Sequence, residues 1–175
     1  MGTFKKAAIA LLILVVVFVG VGFILPSEFD VERHIVVNAP PEEVYQQVAN
    51  LKKWRHWGVW FERDPNMKVT YSGPEMAIGM KSQWESEQEG SGEMTIIDLV
   101  ENHKVVYSLY FPDFDMGSTG EITIEPLGTQ TVINWRDYGD VGSNPINHYF
   151  AALMDSMIGP DFEAGLANLK SRVER

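Results

Sequence analysis

An uninterrupted apolar segment near the N-terminus constrains this chain more than any other feature of its sequence. Residues 7–25 contain no charged or polar side chain, and fourteen of these nineteen residues are Ile, Leu, Val or Phe. As an α-helix the segment would be about 28 Å long, close to the roughly 30 Å thickness of a bilayer's hydrocarbon core. The sequence therefore predicts one transmembrane helix, with residues 1–27 forming an anchor and its linker.

The charges that flank this segment predict its orientation. Lys5 and Lys6 precede it, whereas Glu28 and Asp30 follow it. Because basic residues are retained on the cytoplasmic side of a membrane, we expect a cytoplasmic N-terminus and an extracytoplasmic body, which would be periplasmic in a bacterium. A secretory signal cleaved after its glycines is the alternative, and the body would then be secreted.

The composition of the body, residues 28–175, excludes several classes of function. It carries 12 basic and 24 acidic side chains, a balance that disfavours binding to nucleic acid, where affinity comes from basic groups that displace counterions. The chain has no cysteine, which excludes disulfides, thiolate nucleophiles and iron–sulfur ligation.

Periodicity in the body predicts an α+β fold. Residues 30–38 alternate as a strand, Pro40 and Pro41 begin a short helix, and residues 51–57 form a second one. From Met67 the period is two, and turn residues separate six further strands: 68–71, 80–85, 93–99, 105–111, 120–125 and 131–138. Residues 145–174 have helical spacing, and we expect Gly159 and Pro160 to kink or break the helix.

These elements favour a single antiparallel sheet covered by the last helix. The connections are too short for parallel crossovers. A seven-stranded meander leaves one face uncovered, and the long C-terminal helix is the element available to cover it. We expect its covering face to carry Ile146, Phe150, Leu153 and Met157. His148 and Asp155 lie on the opposite side of the helical wheel and are expected to face solvent.

Side chains that alternate inward on the strands, with residues from both helical regions, predict the lining of a cavity. The predicted lining residues are Trp57, Trp60, Met80, Ser82, Trp84, Tyr107, Leu109, Phe111, Ile122, Ile133, Trp135, Asp137, Met154 and Met157. Mostly apolar walls with few polar groups are typical of ligand pockets, although the same residues are compatible with a closed core. Asp137 is the notable polar member, because a buried carboxylate needs a partner or a raised pKa; a position in water at the strand end is the alternative.

Three tryptophans recur every third residue after the first short helix. Trp54, Trp57 and Trp60 are compatible with a lid over an apolar ligand. The favoured interpretation is a core plug, where the short helices cap the sheet. No catalytic motif, metal-ligand spacing or cofactor loop is present in the sequence, so no catalytic residue, metal or cofactor is predicted.

Three segments resemble a known family. Residues 31–45 with Trp54–Trp57 resemble the opening of the polyketide cyclase/dehydrase-like branch of the START-related SRPBCC (helix-grip) superfamily. Residues 90–94 resemble its central hairpin, and residues 144–170 are similar to the C-terminal helix of its membrane-anchored members. The resemblance implies a helix-grip (START/Bet v 1-like) fold: a seven-stranded curved antiparallel sheet around a long C-terminal helix, with two short helices after strand 1.

The superfamily includes lipid carriers, hormone receptors, cyclases and chaperone cofactors, so the fold does not choose a function. We expect residues 28–175 to be a membrane-tethered binding domain for a small hydrophobic or amphipathic, lipid-like ligand. One alternative is a cyclase- or hydrolase-type enzyme that uses Asp137, Tyr107 or Tyr110. Another is a protein-interaction or stress-response module without a small ligand. The sequence predicts no oligomeric state.

Overall fold

The computed structural model describes residues 2–175 and begins with one exposed apolar helix. This helix, α1 (Thr3–Gly22), is buried only at Gly22, where it meets the body. It is long and apolar enough to cross a membrane, a property that secretion signals near an N-terminus share.

Short helices follow the first strand, as predicted. Strand β1 (Glu28–Val37) leads to α2 (Pro41–Val48), a 3₁₀-helix (Leu51–His56) and α3 (Val59–Arg63). Pro41 suits the first turn of α2 because no N–H is needed there, and Glu42 and Glu43 favour the positive end of the helix dipole. The third short helix, α3, was not predicted from the sequence.

A seven-stranded antiparallel sheet forms the body. The remaining strands are β2 (Lys68–Ser72), β3 (Lys81–Ser86), β4 (Gly90–Val100), β5 (Lys104–Phe111), β6 (Met116–Leu127) and β7 (Gln130–Asp140). The sheet order is β1-β7-β6-β5-β4-β3-β2, so the first strand pairs with the last. This topology and the C-terminal helix confirm the predicted helix-grip fold.

The C-terminal helix α4 (His148–Val173) is continuous, so the predicted break at Gly159 and Pro160 is wrong. Arg33 of β1 forms ion pairs with Asp155 and with Glu163, one on each side of the proline. A Cβ at Gly159 would lie 2.1 Å from the Arg33 guanidinium, so glycine leaves room for this crossing side chain. The clamp holds both segments of α4 on β1 despite the hydrogen bond that proline removes.

The predicted orientation of the first part of α4 is also wrong. Its apolar residues Ile146, Phe150, Leu153 and Met157 are about half exposed instead of covering the sheet. The side expected in solvent is used for packing: His148 is buried, and Asp155 reaches Arg33. Helical spacing defines a face, and here the face that packs contains small and polar residues that fit β1 and the end of α1.

Candidate functional site

The distal half of the body, beneath residues 159–173 of α4, is filled by aromatic side chains. Phe162 of α4 stacks on Trp135 of β7, with ring centroids 4.1 Å apart and planes 3° from parallel. Trp54 and Trp57 pack edge-on against the same indole. Trp54 and Trp57 are buried, so these two tryptophans act as a core plug rather than a lid.

The predicted lining residues divide into three groups by burial. Those buried inside the core are Trp57, Met80, Tyr107, Ile122, Ile133 and Trp135. Those half-buried and packed against it are Trp60, Trp84, Leu109 and Met154, and Phe111 is half-buried against Trp84. Ser82 and Asp137 are buried polar residues, whereas Met157 is 54 % exposed and lies outside the core.

An open groove of about 850 Å³ lies at the other end of the sheet, beside the linker from α1. We call it the proximal groove; its lining residues are Pro26, Glu28, Phe29, Asp30, Leu109, Gly117, Ser118, Thr119, Arg136, Tyr138, Gly139 and Asp140. This volume is within the usual range for small-molecule sites. A smaller groove of about 480 Å³ is lined mainly by polar residues of β2–β5.

Strand register explains why the proximal groove is open. The pairing of β6 with β7 begins at Thr119 and Tyr138, although β6 itself begins at Met116. Residues 116–118 therefore pair only with β5, and Gly139 and Asp140 pair only with β1. The two strand ends do not pair there, but their backbones stay close: a Cβ at Gly139 would lie 3.2 Å from the Gly117 carbonyl oxygen.

A buried carboxyl group lies directly behind the groove wall. Asp137 is 3 % exposed, and the Ser118 hydroxyl, which lines the groove, donates a hydrogen bond of 3.2 Å to its Oδ2. Burial raises the pKa of Asp137 to about 7, and the Ser118 hydrogen bond offsets this only in part. Near neutral pH the group is close to half protonated, so it can either donate or accept a hydrogen bond.

A buried tyrosine connects this carboxyl to the aromatic plug. The Trp135 indole Nε1 donates to the Tyr107 hydroxyl at 2.7 Å. Burial raises the pKa of Tyr107 well above its ordinary value, and the nearby Asp137 charge adds to this effect. A Cβ at Gly120 would lie 2.0 Å from the Tyr107 ring, so glycine at that position lets the ring lie flat on β6.

The rim of the groove combines apolar and charged groups. Phe29 and Leu109 supply apolar surface, and Arg136 forms a bidentate pair with Asp30, with a 2.8 Å bond from Nε. The Arg136 hydrogen bond lowers the pKa of Asp30. An apolar wall beside a fixed ion pair suits a molecule with a hydrocarbon part and a polar part.

Within residues 2–175, no three His, Asp or Glu side chains cluster as metal ligands would.

Sequence reasoning missed several residues of this region. Gly117 and Ser118 lie before residue 120, where the sequence predicts the strand to start, whereas β6 begins at Met116. Arg33 alternates inward with Val31 and Ile35, a signal that was available in the sequence: a charged residue on the covered face needs partners on the covering helix.

Comparison with known proteins identifies the family. Residues 28–174 match the family described as polyketide cyclase / dehydrase and lipid transport. The Aha1 dimer from Colwellia psychrerythraea has a similar structure (18 % identity, 83 % of this chain and 96 % of that chain covered, TM-score 0.58). A protein from Thermobifida fusca is also similar (19 % identity, 82 % and 92 % covered, TM-score 0.65).

A biosynthetic protein has the same fold. The di-domain ARO/CYC StfQ from the steffimycin biosynthetic pathway matches at 17 % identity, with 84 % of this chain and 51 % of that chain covered and a TM-score of 0.62. At these identities the likeness shows the fold alone. No curated protein has a matching sequence. The family match spans nearly the whole body, so the chain belongs to the polyketide cyclase/dehydrase and lipid transport family, and its body is an SRPBCC domain of the ligand-binding or cyclase type.

Proposed function

We propose that this protein is a membrane-tethered domain that binds a small amphipathic, lipid-like ligand in the proximal groove. The observation that carries the proposal is the position of the groove: about 850 Å³ of open space borders Pro26, in the short linker that follows α1. With α1 in a bilayer, orientation by Lys5 and Lys6 puts the body on the extracytoplasmic side. The groove then lies close to a reservoir of amphipathic molecules.

The ligand's polar group has suitable partners on the groove wall. Ser118 can rotate its hydroxyl between Asp137 and a bound molecule, and Asp137 with its pKa of about 7 supports either hydrogen-bonding role of that hydroxyl. The hydrocarbon part packs against Phe29 and Leu109, which are only half-buried in the structure. Of the predicted lining residues, this proposal keeps Leu109 and Asp137 as site residues and assigns the fully buried ones to the core.

Native mass spectrometry of the full chain, released from nanodiscs made with host lipid, tests this proposal. We expect a discrete adduct whose identity lipid extraction reveals. Leu109→Trp fills the groove and is expected to abolish the adduct. Leu127→Trp is the matched control, because Leu127 is 54 % exposed at the β6–β7 turn, and it is expected to retain the adduct. A bare chain in all three samples would contradict ligand binding and favour a protein-interaction module.

A cyclase-type enzyme is the second candidate, and the raised pKa of Asp137 favours it. A carboxyl group with a pKa near 7 is suited to general acid–base catalysis at neutral pH. If ring closure is followed by elimination of the new hydroxyl as water, with Asp137 as the acid, the wild-type chain would carry a molecule lighter by one water than the molecule recovered from Asp137→Asn. Identical adducts on both chains would favour a binding function.

A further inference from the structure

The first part of α4 carries an apolar stripe without a partner in the fold. We define the apolar stripe as Ile146, in the turn that precedes the helix, together with Phe150, Leu153 and Met157 on one face of it; the four side chains are 46–54 % exposed. Four large apolar side chains at helical spacing on an exposed face are typical of a surface that contacts another apolar phase. In residues 159–173 of the same helix, the corresponding positions Phe162, Leu166, Leu169 and Val173 are buried.

The stripe is continuous with the end of α1. Tyr149 lies on the same face and stacks on Phe18 of α1, with ring centroids 4.4 Å apart and planes 3° from parallel. Its hydroxyl donates to the Phe18 carbonyl at 2.7 Å. One turn later, Gly22 lies so close to Pro145 that a Cβ would be 2.3 Å from the Pro145 carbonyl oxygen. The start of α4 is therefore fixed beside the last turns of α1.

This contact sets the depth of the stripe in a membrane. Phe18 lies four residues before Gly22, the last residue of α1, which corresponds to about 6 Å along the helix. If α1 spans the bilayer, the Tyr149 ring lies at or below the headgroups. Tyrosine is favoured at that level, because its ring is apolar and its hydroxyl is polar. The stripe extends from the same helical face.

The charges around the stripe are compatible with such a position. Asp155 is the one charged residue between His148 and Ile158, and it pairs with Arg33 at 2.7 Å on the side that faces the sheet. Beyond residue 160, by contrast, α4 carries Asp161, Glu163, Lys170 and Arg172. The part of α4 that adjoins α1 would therefore take fewer charged groups into the interface than the part beyond residue 160.

We propose that the apolar stripe lies in the extracytoplasmic interface of the bilayer that holds α1, with its side chains below the headgroups. The inference rests on the anchoring that is part of the proposed function. It adds that the body lies against the membrane surface, with the proximal groove adjoining the same lipid leaflet. A second copy of the chain is a weaker candidate for this surface, since four half-exposed side chains are a small part of the about 800 Å² that each partner of a stable dimer buries.

The absence of cysteine makes the test direct. Single cysteines at Leu153, Leu12 and Leu127 of the full chain are labelled with a nitroxide, and the protein is reconstituted in phosphatidylcholine–phosphatidylglycerol vesicles. For each nitroxide, the frequency of collision with dioxygen, which concentrates in lipid, is compared with the frequency of collision with a water-soluble nickel chelate. We expect dioxygen to dominate for L153C and for L12C in α1. We expect nickel to dominate for L127C, which has the same exposed fraction as Leu153 but lies on the body away from α1.

The three positions separate the ways in which the inference can fail. Nickel dominance at L12C would overturn the anchoring itself and the inference with it. Lipid exposure at L12C with nickel dominance at L153C would overturn the inference and leave the anchored binding domain intact. Shielding of L153C from both reagents, with a disulfide between copies of unlabelled L153C, would identify a second copy as the partner and also overturn it.

Discussion

The two halves of the body, distal and proximal to α1, differ in how the inner face of the sheet is covered. In the distal half, residues 159–173 of α4 lie on an interior of packed aromatic rings that includes Trp135 and Phe162. In the proximal half, β6 and β7 stop pairing, a groove opens and a carboxyl group is buried behind its wall. The distal half thus resembles a scaffold, and the proximal half has the features of a site.

The comparison teaches that apolar spacing does not identify the partner of a helix. Ile146, Phe150, Leu153 and Met157 repeat at intervals of 4, 3 and 4 residues, as do Phe162, Leu166, Leu169 and Val173. The second set packs on the sheet and the first does not. The two sets differ in their neighbours: the first adjoins α1, whereas the second lies over β1 and the aromatic plug.

The largest expected difference between the halves is the pH dependence that Asp137 gives to the proximal one. Its pKa is about 7 in the folded protein and near 3.8 when unfolded. Between these values the folded state keeps a proton that the unfolded state releases, so the free energy of unfolding falls as pH rises from about 4 to 7. The full loss is at most about 4 kcal/mol.

Chemical denaturation of the full chain in detergent, followed by tryptophan fluorescence, measures this loss at pH 4 to 8. Asp137→Asn is expected to reduce the fall in the free energy of unfolding as pH rises from about 4 to 7. Asp140→Asn, at the exposed end of the same strand, is the control and should keep it. A wild-type profile without a decline would show that the carboxyl group is not buried as described.

Next in size is the effect of removing a leucine side chain from each half of α4. Leu169 is fully buried and Leu153 is 54 % exposed. Leu169→Ala is expected to lower the free energy of unfolding by about 3 kcal/mol, because it leaves a cavity in a filled core. Leu153→Ala in detergent is expected to change it by less than about 0.5 kcal/mol. Equal losses in the same denaturation assay would remove the distinction between the halves.

The smallest expected effect concerns the boundary between the halves, where Arg33 clamps α4. Arg33→Gln removes both ion pairs, which are partly exposed, so we expect only a small loss in the free energy of unfolding. We also expect faster amide hydrogen exchange in α4 around Pro160, since the helix there loses its clamp. Arg136→Gln breaks a comparably exposed pair on the outer face and is expected to leave exchange at Pro160 unchanged.

The strands of the sheet could be predicted from the sequence because the patterns that mark a strand lie within a few neighbouring residues. Period-two alternation and the turns between strands mark seven strands, and inward positions such as Ile133, Trp135 and Asp137 are buried as their alternation predicts. The continuity of α4 could not be predicted, because the clamp that holds it comes from Arg33, more than a hundred residues earlier in the chain.

The groove was harder to predict for a related reason. It arises where β6 and β7 stop pairing, and that point depends on register between strands rather than on the composition of either strand. Alternation identifies the residues that face inward, and most of the large ones among the predicted lining residues are buried in the core, but alternation does not distinguish a core position from a cavity wall. Ser118 and Gly117 belong to the groove because their strand starts four residues before the predicted position.

The close contact between Gly22 and Pro145 has a consequence for motion. A domain on a flexible tether can rotate about three axes, and it loses this rotational entropy each time it binds a surface in one orientation. Here the hydrogen bonds from His148 and Tyr149 to carbonyl oxygens of α1, with the Gly22 contact, restrict rotation and tilt of the body about its anchor. The cost in orientational entropy is then incurred once, on folding. With α1 in a bilayer, as proposed, movement of the body reduces to two-dimensional diffusion with one face toward the lipid.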